Sequence, residues 1–106
     1  MLNNFLRNLP DAKQNEVIEI LQSTENIRIE RITSLGQSSP ENFWYEQEEN
    51  EWVILLKGNA SLRFAEKDEI VELKVNDFVY IPAYEKHRVE YTSENEETVW
   101  LAVFWK

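Results

Sequence analysis

The stretch WYEQEENEWVILLKG, residues 44–58, passes from aromatic side chains through a run of glutamates into an apolar segment that ends at a glycine. The apolar segment is hydrophobic on both parities, which is typical of a central strand covered on both faces. Residues 48–50 predict a hairpin turn in front of it. In that hairpin Tyr45 and Gln47 share one face of the incoming strand, and Glu51 begins the outgoing strand close to Gln47.

Short strands continue on both sides of this stretch. The segments with strand-like patterning are IRIERI, ASLRFA, KDEIVEL, DFVYIP, HRVEYT and TVWLAVFW. In IRIERI we expect Ile27 and Ile29 to face the core, and Gly58-Asn59 predicts a tight hairpin. Seven or eight short strands at turn spacings indicate an all-β sandwich or barrel. The chain therefore reads as one domain over residues 1–106, with its barrel at 27–106.

Residues 1–24 are interpreted as an N-terminal helical segment. Asn8, Pro10 and Asp11 resemble helix start signals, since asparagine caps helices and proline is tolerated in their first turn. Val17, Ile20 and Leu21, with Ile18 at the edge, would form its apolar stripe. A helix this short is not stable alone, so its stripe must lie on the barrel.

Composition excludes several classes of function. The net charge is −9 and the basic residues are scattered, which disfavours nucleic-acid binding. There is no cysteine, no apolar run long enough to span a membrane and no signal-peptide pattern. We expect a protein of the cytoplasm that does not bind membranes.

The second stretch of interest is NDFVYIPAYEKHRV, residues 76–89. Pro82 ends a strand, a turn covers 83–86, and His87, the one histidine of the chain, begins the next strand. Val89 and Tyr91 share its parity, so His87 should face inward.

These two stretches resemble the two motifs of the cupin superfamily. The first motif contains His-x-His followed by a glutamate and then by a glycine, with six residues between the glutamate and the glycine. Glu51 and Gly58 keep this spacing, while Tyr45 and Gln47 take the histidine positions. In the second motif Pro82 and His87 match, whereas its two glycines are replaced by Asn76 and Tyr84. The whole chain looks like a small single-domain bacterial cupin.

The resemblance implies a small jelly-roll barrel of two antiparallel sheets that binds a small molecule. In metal-binding cupins the motif residues hold one divalent ion, often iron, manganese, nickel or zinc. When the ligand positions of these cupins are transferred to this sequence, the resemblance implies Gln47, Glu51 and His87 as metal ligands, with Tyr45 as a further member. If the protein is an enzyme, the resemblance implies a metal-dependent isomerase, epimerase or dioxygenase, with Glu51 and His87 as the catalytic candidates. The candidate substrate-binding residues are Tyr45, Trp44, Tyr84 and Tyr91.

Each of these residues also has a simpler interpretation. Glu51 could be a solvated charge at a strand start, and His87 a histidine hydrogen-bonded at the core edge. Gln47 could be a buried amide that satisfies a neighbour. The alternative function is then a metal-free module that binds a ligand or dimerises. A third hypothesis is an acidic surface that binds a partner.

The last strand, TVWLAVFW, predicts an oligomer. Apolar residues occupy both of its faces, and a barrel needs only one of them buried. Either the N-terminal helix or a second copy must cover the other face, and we expect a homodimer.

Overall fold

The computed structural model describes residues 2–106, which form eight antiparallel strands in two sheets. The five-stranded sheet has the order β1-β2-β8-β3-β6, and the three-stranded sheet has the order β5-β4-β7. The strands are β1 (Val17–Ser23), β2 (Ile27–Ser34), β3 (Asn50–Lys57), β4 (Ala60–Phe64), β5 (Glu69–Leu73), β6 (Phe78–Ile81), β7 (His87–Thr92) and β8 (Thr98–Trp105). The predicted all-β jelly-roll architecture is confirmed.

The predicted N-terminal helix is wrong. No helix occurs in the part of the chain that the structure describes, and Met1 lies outside that part. Residues 17–23 instead pair antiparallel with β2, with Val17 opposite Thr33. Val17, Ile18 and Ile20 are β-branched, which favours strands, and the edge of β2 supplies hydrogen-bond partners that a short isolated helix would lack.

The core lies between the two sheets, where inward-facing residues of both pack together. The most central strands, β3 and β8, alternate between fully buried and half-buried positions, as strands with one face on a core do. The buried cluster consists of Val53, Leu55, Ala60, Leu62, Phe64, Leu73, Ile81, Trp100, Ala102 and Phe104.

The turn at Gly58 joins the sheets instead of closing a hairpin. β3 belongs to the five-stranded sheet and β4 to the three-stranded sheet, so Gly58 and Asn59 carry the chain from one layer to the other. Gly58 has a φ of 84°, in the region that favours glycine. A β-carbon there would lie 2.7 Å from the carbonyl oxygen of Glu97, so the crossing requires glycine.

The segment before β1 is held against the outer side of the five-stranded sheet by a buried arginine. Arg31 of β2 forms an ion pair with Glu19 at 2.8 Å. Its guanidinium also donates to the carbonyl oxygens of Phe5 (2.9 Å) and Arg7 (3.1 Å). These contacts, rather than an apolar helical stripe, attach the N-terminal segment.

Candidate functional site

A cavity of about 250 Å³ lies between the two sheets. Ile18 and Tyr45 line it and are exposed, so they lie where it opens to solvent. Its lining combines apolar residues with six ionisable side chains: Glu16, Arg28, Glu30, Tyr45, Glu51 and His87. The apolar lining is formed by Ile32, Val53, Leu62, Ile81, Val89, Trp100 and Phe104.

The structure brings together the four residues that the sequence motifs single out. The backbones of Tyr45 and His87 exchange two hydrogen bonds, with N···O distances of 2.7 and 3.1 Å. Their rings stack with centroids 5.6 Å apart. The Gln47 amide nitrogen donates to the Glu51 carboxylate at 3.1 Å. The predicted hairpin itself is wrong, because residues 44–47 form no strand and Tyr45 pairs with His87 instead of with β3. All four line the cavity.

Glu51 and His87 form a buried pair that joins the two sheets. Glu51 lies at the start of β3 between Ile81 and Phe104 of the neighbouring strands, and His87 begins β7 of the other sheet. The His87 Nε2 lies 3.6 Å from the Glu51 Oε1, and the residues are 5% and 8% exposed. The solvated-charge interpretation of Glu51 therefore does not describe its position.

The surroundings of His87 favour its protonated form. Its Nδ1 lies 2.9 Å from the carbonyl oxygen of Glu85, which can only accept a hydrogen bond. Nε2 faces a carboxylate, which is also an acceptor, so both ring nitrogens are best satisfied as N–H groups. Burial lowers the pKa of His87, but Glu51 and the Glu85 carbonyl outweigh it and raise the pKa above its ordinary value.

Tyr45 contributes a neutral phenol to the rim of the cavity. Burial raises its pKa, and the negative charges of Glu16 and Glu51 raise it further. A phenol that stays protonated is a hydrogen-bonding group and a poor metal ligand. Tyr45 therefore suits contact with a ligand better than coordination of a metal.

Sequence reasoning missed one wall of the cavity. In β2 the side chains of Arg28, Glu30 and Ile32 line it, while Ile27, which was expected to face the core, is exposed. The inward face of β2 is thus the opposite of the predicted one. Two ion pairs stabilise the charged residues there: the Arg28 Nε lies 2.6 Å from Glu30, and the terminal nitrogens of Arg28 donate to Glu49. The signal in the sequence was the pair of opposite charges two residues apart, on one face of a strand.

Three predicted substrate-binding residues do not line this cavity. The Trp44 ring lies 6.0 Å from the Arg88 guanidinium, and the Tyr84 side chain is exposed. Tyr91 turns outward because the pairing of β4 with β7 shifts between Ser61 and Leu62, which reverses the parity that His87 and Val89 share. Of the four, Tyr45 alone lines the cavity.

The donor set does not fit the metal centre of metal-binding cupins. Among residues 2–106 no three histidine, aspartate or glutamate side chains converge in a way that could hold an ion. Glu51 and His87 supply one carboxylate and one imidazole, but Gln47 donates its N–H to Glu51 and Tyr45 stays protonated. Catalytic zinc sites, for example, have three protein ligands. A divalent metal here stays a prediction.

These features define a small jelly-roll barrel of two antiparallel sheets with a polar cluster inside. The sequence model of the Cupin domain family matches residues 34–104, which is well over half of the chain, and the chain belongs to that family. A search of curated proteins returned no match. No helix among residues 2–106 is long and apolar enough to cross a membrane.

Solved structures resemble the chain over nearly its full length. A Ralstonia eutropha protein named provisionally as a mannose-6-phosphate isomerase is 33% identical, with a TM-score of 0.95 over 100% of this chain and 98% of that one. An RmlC-like cupin from Methanocaldococcus jannaschii is 20% identical (TM-score 0.73, covering 99% and 89%). The polyketide cyclase RemF of Streptomyces resistomycificus is 15% identical (TM-score 0.73, covering 87% and 66%). The last two likenesses concern the fold.

Proposed function

We propose that the protein binds a small organic molecule in the cavity between its sheets, without a resident metal. The observation that carries this proposal is the Glu51–His87 pair, which is buried side by side at the wall of a cavity of about 250 Å³. Burying two ionisable groups is unfavourable unless each group interacts with the other or with a ligand. An apolar base with a few convergent polar groups is typical of ligand sites.

The pair is suited to exchange a proton with a bound molecule. In its protonated form His87 is a general acid, and the Glu51 carboxylate beside it is a general base. Gln47 orients the carboxylate through its N–H, and Tyr45 offers a neutral hydroxyl at the rim. If the protein is an enzyme, proton transfer of the kind used by isomerases and epimerases is the chemistry that this arrangement supports.

A pair of matched variants tests where the ligand binds. Ile18 and Ile20 are both exposed on β1, but Ile18 lines the cavity and Ile20 does not. We expect Ile18→Trp to obstruct the opening and to abolish binding of small aromatic probes such as benzyl alcohol, measured by ligand-observed NMR. Ile20→Trp should leave binding unchanged. Equal binding by both variants would place the ligand elsewhere and contradict the proposal.

A metal-dependent cupin is the second candidate, and one observation favours it. If His87 is neutral, its Nδ1–H bonds the Glu85 carbonyl, and the free Nε2 lone pair then faces Glu51. Metal-ligating histidines are commonly oriented by such a bond.

Elemental analysis of protein purified without chelator separates the two candidates. We expect substoichiometric metal in the unmodified chain, with no change in Glu51→Gln or His87→Gln. Near-stoichiometric iron, manganese, nickel or zinc that is lost in both variants, but kept in a surface variant such as Glu72→Gln, would replace our proposal with the metal-dependent one.

A further inference from the structure

The cavity is dominated by negative charge. Glu16 precedes β1, Glu30 lies on β2 and Glu51 on β3, and all three line it. One guanidinium, that of Arg28, is the sole fixed positive charge in the lining that the structure describes. With His87 protonated, as its surroundings favour, one of these carboxylates remains uncompensated, and with His87 neutral two remain so.

Arg28 is not free to bind an anion. Its Nε lies 2.6 Å from a Glu30 oxygen, and its two terminal nitrogens donate to both oxygens of Glu49, at 2.8 and 3.0 Å. The guanidinium also lies 4.4 Å from the centre of the Phe104 ring. A phosphate or carboxylate would have to break these bonds and would meet three like charges.

Each cavity carboxylate keeps one oxygen available. Ser34 donates to the Oε2 of Glu16, Arg28 to the Oε2 of Glu30, and Gln47 to the Oε1 of Glu51. Within residues 2–106 the second oxygen of each has no hydrogen-bond partner. Glu30 and Glu51 are more than nine-tenths buried as residues. Among residues 2–106 only Thr33 Oγ1 and Arg88 Nε are fully buried without a partner, so the free glutamate oxygens are accessible and can accept a hydrogen bond from a ligand in the cavity.

The excess of negative charge also affects the pKa of Glu16. Burial raises the pKa of its carboxyl group, and the charge of Glu30 raises it further, against the lowering effect of Ser34. A cation placed among the carboxylates would relieve this repulsion.

The remainder of the lining limits the size and character of the ligand. A cavity of about 250 Å³ corresponds to the liquid volume of roughly eight water molecules. Its apolar lining includes Trp100 together with Val53 and Leu62. Aromatic faces attract cations as well as hydrocarbon groups.

We propose that the cavity takes a small organic cation, with an ammonium group on a short apolar or aromatic body, and that it discriminates against phosphorylated sugars. This inference rests on the proposed function, because it names the class of molecule bound at the same site. The inferred ligand therefore differs from the phosphorylated sugar that appears in the name of the Ralstonia relative.

Three probes of nearly equal size and different charge test the inference. Benzylamine, benzyl alcohol and benzoate are titrated by isothermal calorimetry against the intact chain in the presence of a chelator, and mannose 6-phosphate is added as a fourth. We expect benzylamine to bind at least about tenfold more tightly than benzyl alcohol, since a charge-assisted hydrogen bond adds roughly 1.5–3 kcal/mol. Benzoate and mannose 6-phosphate should not bind measurably.

Isosteric variants assign the selectivity to the cavity. Glu16→Gln should weaken benzylamine about tenfold and weaken benzyl alcohol by much less, because a neutral hydroxyl does not depend on the negative charge. Glu72→Gln removes the same charge from an exposed position of β5 and should change neither. Added salt should weaken the binding of benzylamine only slightly, because salt screens charges in a buried site less than charges on the surface.

The outcomes separate this inference from the proposed function. Tighter binding of benzyl alcohol, benzoate or mannose 6-phosphate, lost in Ile18→Trp, would overturn the cation inference and support the cavity as a binding site. Benzylamine binding that Glu16→Gln and Glu72→Gln reduce equally would also overturn it, as a surface charge effect. If no probe binds, the cation inference and its underlying proposal both fail.

Discussion

Glu51 and His87 were the two site residues whose positions the sequence predicted best. Each matched a family spacing, and each proved to be buried and to line the cavity. Spacing succeeds here because a glutamate at a strand start and a histidine after a proline turn are both fixed by local backbone geometry. The aromatic candidates were less predictable, because one bulge in β7 reverses the side on which Tyr91 lies.

The charge partner of His87 can be tested by titration. The pKa of this imidazole is raised chiefly because Glu51 and the Glu85 carbonyl oppose the effect of burial. We expect Glu51→Gln to lower it. Since the chain has one histidine, its ring resonance in proton NMR reports the change without ambiguity. Glu48→Gln, on an exposed residue paired with Lys106, serves as the control and should leave the titration unchanged.

The same shift predicts how stability depends on pH. A folded-state pKa above the unfolded value means that the native protein binds the proton more tightly, so the stabilisation is complete below the unfolded pKa near 6.5. It is lost as the pH rises through the raised folded value. Urea unfolding should show this loss in the unmodified protein and a smaller one in Glu51→Gln. A loss of equal size in both would assign it to other groups.

At the scale of strands, alternation located the elements but not always their faces. The strands of the barrel were found because turns and proline interrupt their patterns. β2 was inverted because two ion pairs at Arg28 make charged residues suitable for the inner side, which apolar periodicity does not reveal. β1 was taken for a helix because four apolar residues within five positions satisfy both periods, and only the free edge of β2 decides between them.

Because the chain crosses between the sheets at Gly58, we expect the stability of the fold to depend strongly on this residue. Gly58→Ala would add a left-handed backbone penalty of about 1–2 kcal/mol to steric overlap of about 1–3 kcal/mol. We therefore expect a loss of about 2–5 kcal/mol in the free energy of unfolding, measured with urea.

Gly36→Ala is the matched control for this crossing. Gly36 has a similar φ of 86°, but a β-carbon there would meet the flexible side chain of Glu94 at 3.0 Å instead of backbone. Its loss should be limited to the backbone penalty of about 1–2 kcal/mol. Equal losses in the two variants would show that close approach at Gly58 contributes nothing.

At the scale of the molecule, the outer face of the five-stranded sheet is apolar. Ile29, Val103, Trp52 and Tyr80 form one row across β2, β8, β3 and β6. The next row contains Leu101, Ile54 and Phe78 beside Arg31. Phe78 and Tyr80 are more than half exposed. The N-terminal segment contacts this face at Arg31, and the predicted helix that was to cover the rest does not form.

This face leads us to propose that the protein is a homodimer in which a second copy covers it. Contiguous apolar surface of this kind usually marks an interface, and a face spanning four strands suits a two-fold, self-complementary contact. Light scattering should give twice the 12.7 kDa mass of one chain. We expect Phe78→Lys to yield monomers that remain folded, because this side chain is already 61% exposed. Tyr91→Lys, on the other sheet, should remain dimeric, whereas a monomeric unmodified protein would refute the proposal.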